Sequence, residues 1–144
     1  LIQDRLTAMQ RDSLSYYQNL VNIGDTEYLP KVRQFLACAY VVDDSHAPQI
    51  ANRLAEANME INQMVWNNMA ASEYDVKQEM LSFQSPVLIV QGELDVVDIK
   101  LAETAHAILP ESTLRIVPHS GHYGWVENPD YYYGEIYSFL SNLE

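Results

Sequence analysis

The stretch SPVLIVQGELDVVD, residues 85–98, decides the fold class of this chain. Its apolar run VLIV, at 87–90, is introduced by Pro86 and is closed two positions later by Gly92. A run this short and rich in branched side chains predicts a β-strand that is buried on both faces. Strands of that kind are typical of parallel sheets, so the stretch indicates an α/β fold.

The residues after this strand predict a helix, a second strand and a final helix. The first helix is VDIKLAETAHAIL at 97–109, which Asp98 can cap, and the second strand is STLRIVP at 112–118. The final helix, NPDYYYGEIYSFLSNL at 128–143, has Asn128 as N-cap and Pro129 at its first position. A strand–helix–strand unit of this length requires parallel strands and a right-handed crossover. We expect these apolar residues of the final helix to face inward: Tyr132, Ile136, Phe139, Leu140 and Leu143.

Residues 1–82 predict a separate helical region ahead of this β-α-β-α piece, which covers residues 83–144. Apolar residues recur at helical spacing over 6–21, a second helix is predicted over 27–42, and a third, longer helix carries the apolar residues of 50–65. Helices joined by short polar turns form a small antiparallel bundle. We expect the large apolar residues of the third helix to pack in this bundle: Met59, Met64, Trp66 and Met69.

Composition excludes several classes of partner. The net charge of −12 argues against a nucleic-acid surface, which needs clustered Lys and Arg. The longest apolar runs are far too short to cross a membrane, so no membrane partner is expected. The single cysteine, Cys38, cannot form an internal disulfide and is typical of a buried thiol in a reducing, cytoplasmic compartment. No Gly-rich phosphate loop occurs, and no cofactor is predicted.

Asp95 and His122 are the candidate catalytic residues. Parallel strands end at the same edge of a sheet, where open α/β sheets place their ligand sites. Asp95 follows the first strand and His122 follows the second, and neighbouring strands lie about 4.8 Å apart, so the two loops can touch. A carboxylate that orients an imidazole lets the ring act as a general base. Taken singly, Asp95 also fits a turn residue and His122 a loop residue with no catalytic role.

A metal site is the competing chemistry for this histidine. His119 and His122 have the spacing H-x-x-H, but they lie on a loop and no third ligand is evident. The sequence therefore predicts no metal.

The segments SPVLIVQGELDVVD and LPESTLRIVPHSGHYGWVENPDYYYGEIYSFL resemble the C-terminal third of the α/β-hydrolase superfamily. In that family a strand ending in glycine leads three residues later to the triad acid, which Gly92 and Asp95 match. A later GH, followed by aromatics and ENP, carries the triad histidine, which Gly121 and His122 match. The resemblance implies that Asp95 is the triad acid, that His122 is the triad base, and that residues 1–82 form the helical cap inserted in such enzymes.

Within the superfamily the chain is most similar to the proline iminopeptidase branch. That similarity implies hydrolysis of a small peptide, amide or ester, with an acidic cap residue holding the α-amino group of the substrate. Glu60 is the residue nominated for this role, and a solvated glutamate on a helix face is the alternative.

The nucleophile of this superfamily lies in a G-x-S-x-G motif, and the chain has none. Ser82 and Ser85 precede the first strand, and Ser120 shares the loop of His122. We therefore expect the nucleophile and the oxyanion hole upstream of Leu1, and an isolated chain that is inactive. The sheet implied by two strands is also incomplete, since parallel sheets occur covered on both faces. The alternative is a non-catalytic interaction module that forms a homodimer through its exposed sheet edge.

Overall fold

The structure, a computed structural model, describes residues 2–143 of the chain. This part of the chain contains nine α-helices and two β-strands. The helices are α1 (Ile2–Arg5), α2 (Ala8–Asn22), α3 (Leu29–Ala37), α4 (Ala47–Glu56), α5 (Met59–Ala71), α6 (Lys77–Leu81), α7 (Ile99–Ile108), α8 (Gly124–Glu127) and α9 (Pro129–Ser141); the strands are β1 (Val87–Gly92) and β2 (Ser112–Val117), and short 3₁₀ helices occupy Thr26–Tyr28 and Asp44–His46.

The two strands form the predicted parallel pair. Val87 lies opposite Ser112 at one end of the register, and Gly92 lies opposite Val117 at the other. Helix α7 connects the strands, and α7 and α9 each contact both of them. The fold is therefore mixed α/β, mostly helical, with a small parallel sheet, as the apolar run at 87–90 predicts.

Helices α7 and α9 begin at the N-cap residues that the sequence predicts. The side chain of Asp98 accepts a hydrogen bond from the backbone N–H of Lys100 at 3.0 Å and opens α7. Asn128 opens α9 in the same way, by accepting from the N–H of Tyr131, and Pro129 takes the first position.

The prediction that β1 is buried on both faces is wrong for this chain. Its first four residues are only half-buried, and Gln91 and Gly92 alone are buried. The cause is that β1 has a single neighbouring strand among residues 2–143, so its other edge carries no paired strand.

The helical region forms a packed unit from α2, α3 and α4, in which α3 contacts both of the others. The predicted second helix is shorter than 27–42, because a 3₁₀ turn precedes α3 and a turn follows it. The predicted long third helix is wrong: it is two helices, α4 and α5. Ala57 is extended there, and the Asn58 side chain accepts from the N–H of Ile61 and begins α5 anew.

The apolar residues of α5 do not pack as predicted. No residue of this helix is buried, and Met69 is the half-buried one. Because α5 makes no extensive contact with another element among residues 2–143, its other large apolar side chains stay exposed: Met59, Ile61, Met64, Val65 and Trp66.

The predicted inward face of α9 is partly wrong. Tyr132, Ile136 and Phe139 are half-buried, whereas Leu140 and Leu143 are exposed. A groove of about 350 Å³ opens between the C-terminal end of α9 and the starting ends of the strands, so this end of the helix does not close on the sheet.

One hydrophobic cluster joins the helical region to the α/β part. It packs residues of α3 and α4, including Ala37 and Ile50, around the buried ring of Tyr123. Over residues 2–143, none of the helices has the length and apolar character that crossing a membrane would require.

Candidate functional site

Two loops meet at the edge of the sheet where β1 and β2 end. The backbone N–H of Leu94, after β1, donates to the carbonyl oxygen of Ser120, after β2, at 2.9 Å. Gly92 makes this approach possible, because a Cβ there would collide with the carbonyl oxygens of Gly121 and Ser120. The glycine that ends the first strand therefore allows the two loops to touch.

These loops bring Asp95 and His122 together as predicted. Oδ1 of Asp95 lies 2.9 Å from Nδ1 of His122. The Asp95 side chain is 8% exposed and also accepts from the N–H of Val97 at 2.9 Å, so its position is fixed by its own loop. The His122 side chain is 39% exposed, which leaves the imidazole accessible to a ligand.

The hydrogen bond determines which ring nitrogen of His122 is available. An ionised carboxylate only accepts, so Nδ1 carries the proton that it donates to Asp95. Among the described residues, Nε2 of His122 has no hydrogen-bond partner. The neutral ring thus presents an unprotonated Nε2, which is the atom a general base uses.

Asp95 makes protonation of His122 easier than it is for an isolated imidazole. The hydrogen bond to Asp95 raises the pKa of His122 above its ordinary value of 6.5, and the negative charge of Asp95 adds to this, while desolvation of the ring acts in the opposite direction. Asp95 therefore stabilises the imidazolium that forms when the ring takes up a proton.

Aromatic rings hold the imidazole from the side. The rings of Tyr40 and Tyr123 lie with their centroids 5.5 and 5.4 Å from that of His122. The backbone N–H of His122 donates to the carbonyl oxygen of Tyr40 at 2.8 Å. Tyr40 comes from the helical region, so this region contributes directly to the surroundings of the candidate base.

A cavity of about 180 Å³ adjoins the pair. Asp95 and His122 both line it, together with Gly92 from the end of β1 and the aromatic side chains of Trp125 and Tyr132. The 350 Å³ groove is larger, but it lies at the opposite ends of the strands and contains neither residue. The candidate pair therefore adjoins the smaller cavity and not the larger groove.

The serine nearest to His122 in sequence is not aimed at the ring. Ser120 is fully buried, and its hydroxyl donates to the carbonyl oxygen of Val117 at 3.0 Å. It closes the end of β2 and leaves no exposed hydroxyl in this loop.

His119 is the other histidine of the H-x-x-H spacing. His119 is exposed, and its N–H donates to the carboxylate of Glu93. No group of three or more His, Cys, Asp or Glu side chains that could hold a metal ion occurs within residues 2–143.

Glu60 lies in the first turn of α5 and is exposed. Its carboxylate makes no hydrogen bond or ion pair within the part of the chain that the structure describes. The nominated position is thus an accessible carboxylate with no partner among residues 2–143.

Sequence reasoning missed Glu127. This half-buried residue ends α8, and its carboxylate accepts backbone hydrogen bonds from Gly121 at 2.6 Å, Val42 at 2.5 Å and Asp43 at 3.2 Å. The signal available in the sequence was the glutamate five residues after His122, in WVENP.

Comparison of the chain with protein-family models, with curated proteins and with solved structures finds no match.

Proposed function

We propose that Asp95 and His122 are the acid and base of a serine-type hydrolase of the α/β-hydrolase kind, whose nucleophile is supplied by a polypeptide segment outside this chain. The observation that carries the proposal is the 2.9 Å bond between Nδ1 of His122 and Asp95, which leaves Nε2 free. In such a triad the base removes the proton of a serine hydroxyl through Nε2 and later delivers it to the leaving group.

The surroundings of the pair support this role. The pair lies beyond the ends of parallel strands, where α/β sheets place ligands, and it lines a cavity. The only serine of the histidine loop is buried and bonded to the backbone, which supports a nucleophile from outside this loop. The half-buried residues of β1 offer a surface for further strands.

The test joins this chain to the segment that precedes it in its gene. We expect the joined polypeptide to react with a fluorophosphonate probe and to hydrolyse p-nitrophenyl esters or N-terminal prolyl amides. The variant His122→Ala should lower kcat by about 10³-fold or more, the scale of triad removals. His119→Asn, three residues away in the same loop, is the matched control and should retain activity. A loss of less than about tenfold in His122→Ala would exclude His122 as the base.

Glu60 is proposed to bind the α-amino group of the substrate, since its exposed carboxylate has no other partner among the described residues. In the joined polypeptide, Glu60→Gln should raise KM for a substrate with a free amine and leave KM for its N-acetyl analogue unchanged. Glu56→Gln, an exposed glutamate at the end of α4, is the control. Equal effects on both substrates would assign Glu60 to the solvated face of α5.

The second candidate function is an interaction module that dimerises through β1. A strand with one neighbour and four half-buried residues favours it. Val87 and Glu93 donate their N–H groups toward the β2 side, so by alternation Val90 points its N–H to the free edge. A concentration-dependent dimer in sedimentation velocity that Val90→Pro abolishes, with circular dichroism retained, would support this function. A monomer at all concentrations would exclude it.

A further inference from the structure

We propose that Glu127 is a positioning residue, which fixes His122 by tying its loop to the segment that follows α3. No other carboxylate in the described chain receives backbone N–H groups from two segments so far apart. One oxygen accepts from Val42 and Asp43, and the other accepts from Gly121, the residue just before His122.

The bonds of Glu127 close a ring of contacts around the histidine loop. The N–H of His122 donates back to Tyr40, two residues before Val42. The loop and the segment 40–43 are therefore joined both by Glu127 and by a direct backbone bond. A Cβ at Gly121 would lie 2.5 Å from the carbonyl oxygen of Tyr40, so the two backbones are already as close as glycine permits.

The chemistry of Glu127 suits this task. An ionised carboxylate accepts on both oxygens, and bonds from N–H groups to a charged acceptor are stronger than neutral ones. Within residues 2–143 no Lys or Arg forms an ion pair with Glu127, and its hydrogen-bond donors there are all backbone N–H groups. A glutamine would place its NH₂ group against one set of these donors and could not replace it.

The catalytic consequence rests on the proposed function, but the positioning does not. The hydrogen bond from His122 to Asp95 raises the pKa of His122. Release of the loop would loosen this bond and would therefore lower that pKa. If Glu127 merely stabilised the fold, its substitution would lower the melting temperature and leave the pKa of His122 unchanged.

The experiment is an NMR pH titration of the His122 ring in the wild-type chain, in Glu127→Gln and in Glu93→Gln. Glu93 carries the matched substitution, since its carboxylate accepts one N–H from the same loop, that of His119. We expect the pKa of His122 to fall toward 6.5 in Glu127→Gln and to stay at the wild-type value in Glu93→Gln. An unchanged pKa in a folded Glu127→Gln, or an equal fall in both variants, would overturn the proposal.

A second measurement needs no variant. Val42 and Asp43 are exposed residues, so slow hydrogen exchange of their backbone amides would arise from the bonds to Glu127. We expect both amides to be protected in the wild-type chain, and exchange at the rate of a free peptide would contradict the proposal.

In the joined polypeptide, Glu127→Gln should lower kcat roughly 10- to 100-fold with KM little changed, the scale of a misplaced catalytic group. The two proposals fail separately. If the joined polypeptide has no hydrolase activity while Glu127→Gln still lowers the pKa of His122, the proposed function fails and the positioning stands.

Discussion

Nδ1 of His122 and Oδ1 of Asp95 lie 2.9 Å apart although 27 positions of sequence separate the residues. The parallel pairing of β1 and β2 delivers them to one edge, and Gly92 allows the last approach. Asp95 is held on its own loop by the N–H of Val97, so it provides a fixed acceptor against which the more exposed imidazole is oriented.

The first prediction concerns the pH dependence of stability. The pKa of His122 is raised in the folded chain, so the folded state binds the ring proton more tightly than the unfolded state. This contribution is complete below pH 6.5 and is lost as the pH rises through the folded pKa. We expect the free energy of unfolding of wild type to exceed that of His122→Gln by more at pH 5.5 than at pH 8.5. Because His122 is more than a third exposed, the change should be below about 1 kcal/mol.

Urea unfolding at the two pH values measures this difference. His106→Gln is the control, since His106 is exposed and its Nδ1 lies 2.8 Å from the hydroxyl oxygen of Ser112 instead of a carboxylate. If the difference in the free energy of unfolding between wild type and His122→Gln grew as the pH rises, the pKa of His122 would be lowered by folding, which would contradict the prediction.

The second prediction concerns the contact between the two loops. Gly92→Ala should destabilise the chain by about 1–3 kcal/mol, because the new methyl group meets the backbone oxygens of Gly121 and Ser120, which cannot yield as a flexible side chain would. Gly134→Ala is the matched control: its Cβ meets nothing within 4 Å in α9, so it should stabilise by up to about 1 kcal/mol. Thermal unfolding compares the two, and equal melting temperatures would refute the close approach.

The third prediction separates Ser120 from the nucleophile. Ser120→Ala removes a buried bond to Val117 and should lower the free energy of unfolding by about 1 kcal/mol. Fluorophosphonate labelling of the joined polypeptide should be the same with and without this substitution. If mass spectrometry of the labelled protein finds the adduct on Ser120, the assignment of an external nucleophile fails.

The fourth prediction concerns the reactivity of Cys38. Burial raises the pKa of this thiol from 9.0 to about 11, with the nearby carboxylate of Asp44 adding to the effect. The thiolate fraction at pH 8 is then roughly 100-fold below that of the unperturbed thiol. Since Cys38 is the only cysteine, a thiol reagent reports on it directly. Reaction should be slow in buffer and much faster in urea, and equal rates would contradict the raised pKa of this half-buried thiol.

The elements that could be predicted from the sequence are those with local signals. The apolar run at 87–90 and the caps Asp98 and Asn128 depend on neighbouring residues only, and the structure has them where predicted. The meeting of Asp95 and His122 also followed, because parallel topology alone places both loops at one edge.

The predictions failed where the structure depends on contacts between residues far apart in sequence, or where two local sequence signals compete. Apolar spacing continued through residues 57–58, but the cap at Asn58 ended one helix and began another. The partners of Glu127 could not be predicted, because the N–H groups of Val42 and Asp43 lie 85 and 84 residues away and no local pattern marks them.

The most direct test of the acid–base pair is the protonation of His122 followed by ¹⁵N NMR in wild type and Asp95→Asn. We expect the neutral ring of wild type to carry its proton on Nδ1, and its pKa to lie above 6.5 and to fall in Asp95→Asn. A neutral ring protonated on Nε2, with a pKa that Asp95→Asn leaves unchanged, would contradict the account.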